Sequence, residues 1–224
     1  MNSNRKSYSW QRVNCSYEKG LYMRIERVES LDKRKCKVFM DEDFAFLLYN
    51  GELEKYGVCE GAVLEERTER ELLDLLSRRA HERALNLLKV QDRTEGEMCR
   101  RLFQDGYPDS IVQETIGFLQ EYHFVDDARY AANYLQVHGK RKSQAELKLY
   151  LQRKGISREI IREQLEETEH DSGEAIRVLL EKKHYRAGET APEEKKKIIA
   201  YLMRRGFSWE DIRREMKEQE DALG

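Results

Sequence analysis

An acidic pair, Asp126 and Asp127, has the residue types of a metal site or an acid–base site. Carboxylates bind divalent cations and can exchange protons. The alternative is structural, because Asp126 directly precedes apolar residues at helical spacing and its carboxylate can accept backbone N–H bonds as an N-cap. Asp127 then lies in the first helical turn, where a negative charge suits the helix dipole. We favour the structural interpretation of both residues.

The other residue types that carry chemistry form no site pattern. The sequence has no G-x-x-x-x-G-K-[ST], G-x-G-x-x-G or H-E-x-x-H motif, and its histidines are scattered. The four cysteines are widely spaced, with no C-x-x-C pair and no histidine at ligand spacing. We predict reduced thiols, no cofactor, no metal and no enzymatic activity. The cysteines are Cys15, Cys36, Cys59 and Cys99.

Basic residues are clustered, although the chain as a whole is not basic. The net charge of −2, from 41 Lys+Arg and 43 Asp+Glu, lacks the excess of a protein that holds nucleic acid mainly by charge. Clusters in the last hundred residues could form a stripe toward an acidic partner, or they could be solvated helix faces paired with glutamate. Both interpretations stay open. The clusters are Lys140–Lys142, Arg153-Lys154, Lys182-Lys183, Lys195–Lys197, Arg204-Arg205 and Arg213-Arg214.

One stretch, residues 122–156, contains two of these clusters and shows the helices that carry them. Asp126 starts a helix that ends at Gly139, and Ser143 with Glu146 forms a capping box that starts a second helix. Gly155 supplies a left-handed stop for that helix. The pattern predicts three helices, the last capped by Ser157. The apolar stripe of the second helix is Ala145, Leu147, Leu149, Tyr150 and Leu151.

This unit occurs three times, aligned on Gly106, Gly155 and Gly206. Apolar residues recur at positions −8, −4, +1, +6 and +10 from each glycine, and the third copy has four extra residues, about one helical turn. The pattern predicts a mainly α protein of tandem three-helix repeats that bury their stripes on each other in an elongated, curved body. The predicted capping boxes are Thr94/Glu97, Ser143/Glu146 and Thr190/Glu193.

A small β-rich domain precedes the repeats. Strand-like runs at 21–29 and 36–40 predict a hairpin, a third strand follows at 44–49, and an exit strand lies at 62–64. Its role stays open between a binding module and a cap over the first helix. The predicted organisation is a flexible 1–16, a β-rich 17–64, a linker helix started by a Thr68/Glu71 box with repeat 1 in 65–125, repeat 2 in 126–170 and repeat 3 in 171–224.

The run FVDDARYAANYL followed by GKRKSQAELKLYLQRKGI resembles the central repeat of the RecX family, regulators of the RecA recombinase. The matching pattern is an acidic pair, then Arg, an aromatic and Ala, then a basic turn and a helix ending in Lys-Gly. The resemblance covers roughly residues 79–218. Its structural signature residues here are Asp126, Asp127, Tyr130, Ala131, Gly106, Gly155 and Gly206.

The resemblance implies a non-enzymatic modulator that binds along the groove of the RecA filament on single-stranded DNA and inhibits strand exchange and filament growth. It implies a role in recombination, DNA repair and the SOS response. With no apolar run of membrane-spanning or signal-peptide length, we expect a cytoplasmic monomer. The alternatives are a stand-alone DNA-binding helical-repeat protein and a protein-interaction scaffold. The expected partner-facing residues are Arg129, Lys140, Arg141, Lys142, Lys148, Arg153, Lys154, Arg204 and Arg205.

Overall fold

A computed structural model describes residues 24–41, 44–168 and 172–221, so the predicted flexible segment 1–16 and the start of the first predicted strand lie outside it. These residues form two compact units, one up to Leu72 and one from Leu73.

The first unit is built on a three-stranded antiparallel sheet, as predicted. The strands are β1 (Arg27–Ser30), β2 (Lys35–Asp41) and β3 (Phe44–Tyr49), in the order β1-β2-β3, followed by the short helix α1 (Asn50–Tyr56). The hairpin turn is closed by Asp32, whose carboxylate accepts the backbone N–H groups of Arg34 and Lys35 at 2.7 and 2.9 Å. The predicted exit strand is reduced to a single bridge between Arg24 and Val63.

Helix α2 (Glu66–Leu88) is the longest helix of the described chain, at 23 residues. The predicted Thr68/Glu71 capping box is wrong, because Thr68 lies inside this helix. Exposed ion pairs one turn apart, Arg70 with Glu66 and Arg67 with Glu71, suit an earlier start.

Three-helix repeats follow in tandem, which confirms the predicted fold class. The second half of α2 belongs to repeat 1, and a 3-10 turn, Gly139–Arg141, follows α5 in repeat 2. Repeat 1 is completed by α3 (Glu95–Gln104) and α4 (Asp109–Glu121); repeat 2 has α5 (Asp127–His138), α6 (Gln144–Lys154) and α7 (Arg158–Glu167); repeat 3 has α8 (Ser172–Lys182), α9 (Pro192–Arg204) and α10 (Trp209–Asp221).

Each repeat has a hydrophobic cluster of its own. The prediction that the repeats bury their apolar stripes on each other is therefore wrong, because the stripes are buried within each repeat. The aligned positions −8, −4 and +6 fill these clusters, and each residue there is at most 2% exposed. Leu149 was wrongly placed in the stripe; it is 48% exposed because it lies between the inward-facing Leu147 and Leu151, on the opposite side of α6. The aligned core residues are Met98, Leu147, Ile198, Leu102, Leu151, Leu202, Val112, Ile161 and Ile212.

Two of the three capping boxes in the repeats are confirmed, at Thr94/Glu97 and Ser143/Glu146. The third, Thr190/Glu193, is wrong. Helix α9 begins at Pro192, whose fixed φ suits a first helical position, while the Thr190 hydroxyl accepts the backbone N–H of Arg186 at 2.8 Å and closes the preceding loop.

Candidate interaction surface of the helical repeats

A buried hydroxyl connects repeat 1 to repeat 2. Thr94 is fully buried; its Oγ1 accepts the backbone N–H of Glu97 at 3.2 Å and donates to the carbonyl oxygen of Lys154 at 2.5 Å. One side chain therefore caps the start of α3 and satisfies a carbonyl at the end of α6.

Two glycines allow this approach. A Cβ on Gly96 would lie 3.0 Å from Cα of Gly155, so the two backbones touch where α3 begins and α6 ends. Gly155 also has φ +94°, which L side chains rarely adopt. We call Thr94, Gly96 and Glu97 with Lys154 and Gly155 joint 1.

An ion pair completes joint 1. Lys154 Nζ lies 2.7 Å from Glu97 Oε1, with the two side chains 23% and 16% exposed. Burial opposes the charge of Lys154, but the hydrogen bond and charge of Glu97 outweigh it, so the pKa of Lys154 is raised above its ordinary value. The other carboxylate oxygen of Glu97 faces the Thr94 N–H at 3.5 Å, so one side chain serves both the cap and the ion pair.

The same arrangement recurs between repeats 2 and 3. The buried Ser143 hydroxyl accepts the Glu146 N–H at 3.1 Å and donates to the carbonyl of Arg205. Arg205 binds Glu146 through two N–H groups at 2.8 and 2.9 Å, and this hydrogen bonding raises the pKa of Arg205. A Cβ on Gly206 would lie 2.6 Å from Cβ of Ala145. We call Ser143, Ala145 and Glu146 with Arg205 and Gly206 joint 2.

The two outer repeats lack one half of the joint each. Directly before the aligned glycine, where repeats 2 and 3 have Lys154 and Arg205, repeat 1 has Asp105. Asp105 forms an ion pair with Arg83 of its own repeat at 2.7 Å. At the position of Thr94 and Ser143, repeat 3 has Glu194, inside α9. The described repeats therefore form two joints, one between repeats 1 and 2 and one between repeats 2 and 3.

The acidic pair of the RecX-like pattern has two structural roles. Asp126 caps α5 by accepting the N–H of Arg129 at 2.9 Å, as predicted. Asp127 lies in the first turn as predicted and also accepts the N–H of Glu95 at 2.9 Å, which ties α5 to the start of α3. Burial raises the pKa of Asp127, and the Glu95 N–H opposes that rise.

Three of the predicted partner-facing cations are half-buried rather than free. Lys154 and Arg205 close the two joints. Lys142 Nζ donates to the Tyr134 hydroxyl and lies 5.0 and 5.3 Å from the ring centres of Tyr134 and Tyr150. In the structure these three cations therefore contact other side chains of the same chain.

The other six predicted cations are exposed. Lys140 lies 3.4 Å from Glu174, and Arg129 donates to the His123 carbonyl at 3.1 Å. Arg153 and Arg204 each directly precede the residue that closes a joint, so they occupy equivalent places in repeats 2 and 3. The exposed cations are Arg129, Lys140, Arg141, Lys148, Arg153 and Arg204.

Sequence patterns gave Glu97 and Glu146 only a capping role, although each also forms the ion pair of a joint. The repeat alignment contains a signal for them, because an acid stands nine residues before the glycine in repeats 1 and 2. A cation stands one residue before the glycine in repeats 2 and 3. Opposite charges offset by one repeat are the pattern that such joints require.

No cluster of three or more His, Cys, Asp or Glu side chains that could hold a metal ion occurs in the described ranges, and none of their helices is long and apolar enough to cross a membrane. Cys36, Cys59 and Cys99 are free thiols, while Cys15 lies outside the described residues. Burial, with the nearby Glu95 carboxylate, raises the pKa of Cys99 to about 11, which disfavours the reactive thiolate.

The fold and the joints define a tandem array of three-helix repeats, and comparison with known proteins identifies its family. Domain models described as the first, second and third three-helix domains of RecX match residues 80–119, 126–165 and 171–216 in that order. Together they cover more than half of the chain, which therefore belongs to the RecX family.

Relatives and solved structures agree with this assignment. The "Regulatory protein RecX" of Clostridium acetobutylicum is 28% identical over 203 residues, covering 87% of this chain and 95% of that protein. The protein of the same name from Clostridium tetani is 33% identical over 135 residues, covering 58% and 62%. A crystal structure of a regulatory protein RecX has a TM-score of 0.59 at 22% identity, covering 87% of this chain and 98% of the other, and shows the shared fold.

Proposed function

We propose that the chain acts as a cytoplasmic monomer that binds the RecA filament on single-stranded DNA and inhibits strand exchange and filament growth without catalysis. Family membership supports a regulatory role, since the relatives are named regulatory proteins. The same membership supports RecA and its DNA as the target.

The observation that carries the proposal is the difference in exposure at the ends of α6 and α9. In each adjacent pair of cations, Lys154 or Arg205 closes a joint, while Arg153 or Arg204 stays at the surface. The joints fix the helix ends, so each exposed arginine is held at an equivalent site of its repeat. Exposed, positioned arginines suit DNA phosphates or carboxylates of the filament.

Removal of both exposed arginines, Arg153→Ala with Arg204→Ala, is expected to weaken inhibition of RecA strand exchange while leaving the fold intact. Exposed ion pairs contribute about 0.2–1 kcal/mol each, so the half-inhibitory concentration should rise roughly 2- to 30-fold. If the contacts are to phosphates of the single strand, the slope of the salt dependence of binding should also fall by about 0.7 per contact.

The matched control is Lys196→Ala with Lys197→Ala, which removes the same charge from exposed side chains of α9. These lysines are 74% and 75% exposed and pair within their own helix with Glu193 and Glu194. The control should inhibit like the parent. Equal losses from both double variants would show that net charge alone matters, and an unchanged arginine variant would mean that these residues are only a solvated surface.

A further inference from the structure

The sheet of the first unit has one buried face and one open face. Strand β2 alternates between them: Cys36, Val38 and Met40 are buried, whereas Lys35, Lys37 and Phe39 are only partly covered. In β3, Phe46 and Leu48 are buried, and Leu47 and Tyr49 lie on the other face. The open face therefore combines aromatic, aliphatic and basic side chains, a composition that a purely solvated sheet face does not need.

Strand register places cations beside the aromatic rings. Arg27 of β1 pairs with Phe39, and Lys35 pairs with Tyr49 of β3. The Arg27 guanidinium carbon lies 4.1 Å and Lys37 Nζ 4.6 Å from the centre of the Phe39 ring. Lys35 Nζ lies 5.5 Å from the centre of the Tyr49 ring. The open face thus presents two aromatic rings, each with at least one cation against it.

The charge of this face is positive. Glu29 also lies on this face, opposite Lys37 in the strand register and 3.2 Å from Arg27, so one carboxylate stands against the three cations Arg27, Lys35 and Lys37. Lys33 and Arg34 are exposed in the turn that leads into β2 and extend the basic end of the face. The acidic run 41–43 comes at the other end of β2 in the sequence.

We propose that this open face binds single-stranded nucleic acid. Proteins that hold single strands combine cations that follow the phosphates with aromatic side chains on which bases stack. Tyr49 of β3 lies beside Lys35, and Lys35 is four residues from Phe39 on β2, so the two rings are offset by roughly 13 Å along the strand direction. One nucleic acid strand lying along β2 would therefore pass both rings. Lys35 and Lys37 contact the phosphates, and the two rings stack with bases. An acidic protein segment would use the cations but gain little from the rings.

This site gives the first unit a role of its own. It does not depend on the proposed action on RecA, because a bare oligonucleotide tests it. The test uses the full chain with fluorescent 12-residue oligonucleotides of thymidine and of uridine at two salt concentrations. Binding to either supports the proposal, and a difference in affinity between the two distinguishes DNA from RNA, whereas binding to neither overturns it.

Two variants separate charge from stacking. Lys35→Ala with Lys37→Ala should weaken binding several-fold and reduce the salt slope by about 1.4, or about 0.7 for each phosphate contact with a single strand. Phe39→Leu keeps an apolar side chain but removes the ring, and it should weaken binding by roughly fivefold or more without a change of slope.

The matched control, Arg67→Ala with Arg70→Ala, removes two exposed cations from α2, where they pair one turn apart with Glu71 and Glu66. It should bind like the parent, and oligonucleotides carrying 5-iodouracil should crosslink to peptides containing Phe39 or Tyr49. The proposal is overturned if both double variants lose the same affinity, if Phe39→Leu has no effect, or if crosslinks fall only within the repeats. Displacement by polyglutamate together with an unaffected Phe39→Leu variant would identify an acidic protein partner instead and also overturn it.

Discussion

Replacement of Gly155 with alanine is expected to lower the free energy of unfolding by about 2–5 kcal/mol, measured by urea denaturation. A left-handed conformation costs a residue with a Cβ about 1–2 kcal/mol, and Gly155 has φ +94°. A new methyl group in a filled space costs about 1–3 kcal/mol more, and here it would lie 3.0 Å from Cα of Gly96. Both penalties fall on joint 1, so the connection between repeats 1 and 2 should weaken.

Two other glycines separate these penalties. Gly188 has φ +74° with nothing within 4 Å of a built Cβ, so Gly188→Ala should show the conformational cost alone. Gly96→Ala meets Gly155 across joint 1 without a left-handed φ, and part of its cost is offset by about 0.5–1 kcal/mol of better helix propensity. If Gly155→Ala and Gly188→Ala lose the same stability, the close contact in joint 1 has no energetic importance.

Ser143→Ala is expected to lower the free energy of unfolding by about 1.5–5 kcal/mol, again measured by urea denaturation. Loss of an N-cap costs about 0.5–2 kcal/mol, and Ser143 caps α6 through the Glu146 N–H. Its hydroxyl also donates to the carbonyl of Arg205, and an unsatisfied buried carbonyl costs about 1–3 kcal/mol. The two losses occur together because one hydroxyl makes both bonds.

Ser157→Ala is the matched control, since Ser157 caps α7 through the Ile160 N–H at 3.2 Å and is exposed. The same chemical change there should cost only about 1 kcal/mol. Equal losses at Ser143 and Ser157 would contradict the role of the hydroxyl in joint 2.

Periodicity and glycine punctuation predicted most of the repeat architecture. The residues at −8 and −4 from the three glycines are buried because helix geometry brings i, i+4 positions to one face, and those at +6 join the same cluster from the next helix. The left-handed conformation was predicted for Gly155, and the aligned Gly106 and Gly206 share it, with φ of 87°, 94° and 86° for Gly106, Gly155 and Gly206. Local rules suffice for features within one helix and its two ends.

The joints could not be predicted by local rules. Capping chemistry indicates that the Thr94 hydroxyl accepts an N–H three residues ahead, but the carbonyl that accepts the hydrogen bond from this hydroxyl belongs to Lys154, 60 residues away. The neighbours Arg153 and Lys154 are equivalent in composition, yet about 100° of helical rotation turns one to solvent and the other to Glu97.

Local patterns also mislead where another interaction decides the helix start. Thr190 with Glu193 has the spacing of a capping box, but Pro192 is better suited to begin α9, and Thr190 bonds backward to Arg186. Thr68 with Glu71 has the same spacing inside α2, which starts two residues earlier.

The most direct test of the proposed function compares binding of the full chain to RecA filaments on single-stranded DNA with binding to the same DNA without RecA, at two salt concentrations. Filament binding should be stronger by roughly tenfold or more, about 1.4 kcal/mol, and should persist at the higher salt. Equal affinity for bare and RecA-coated DNA, with the same salt dependence, would contradict the account and identify a stand-alone DNA-binding protein.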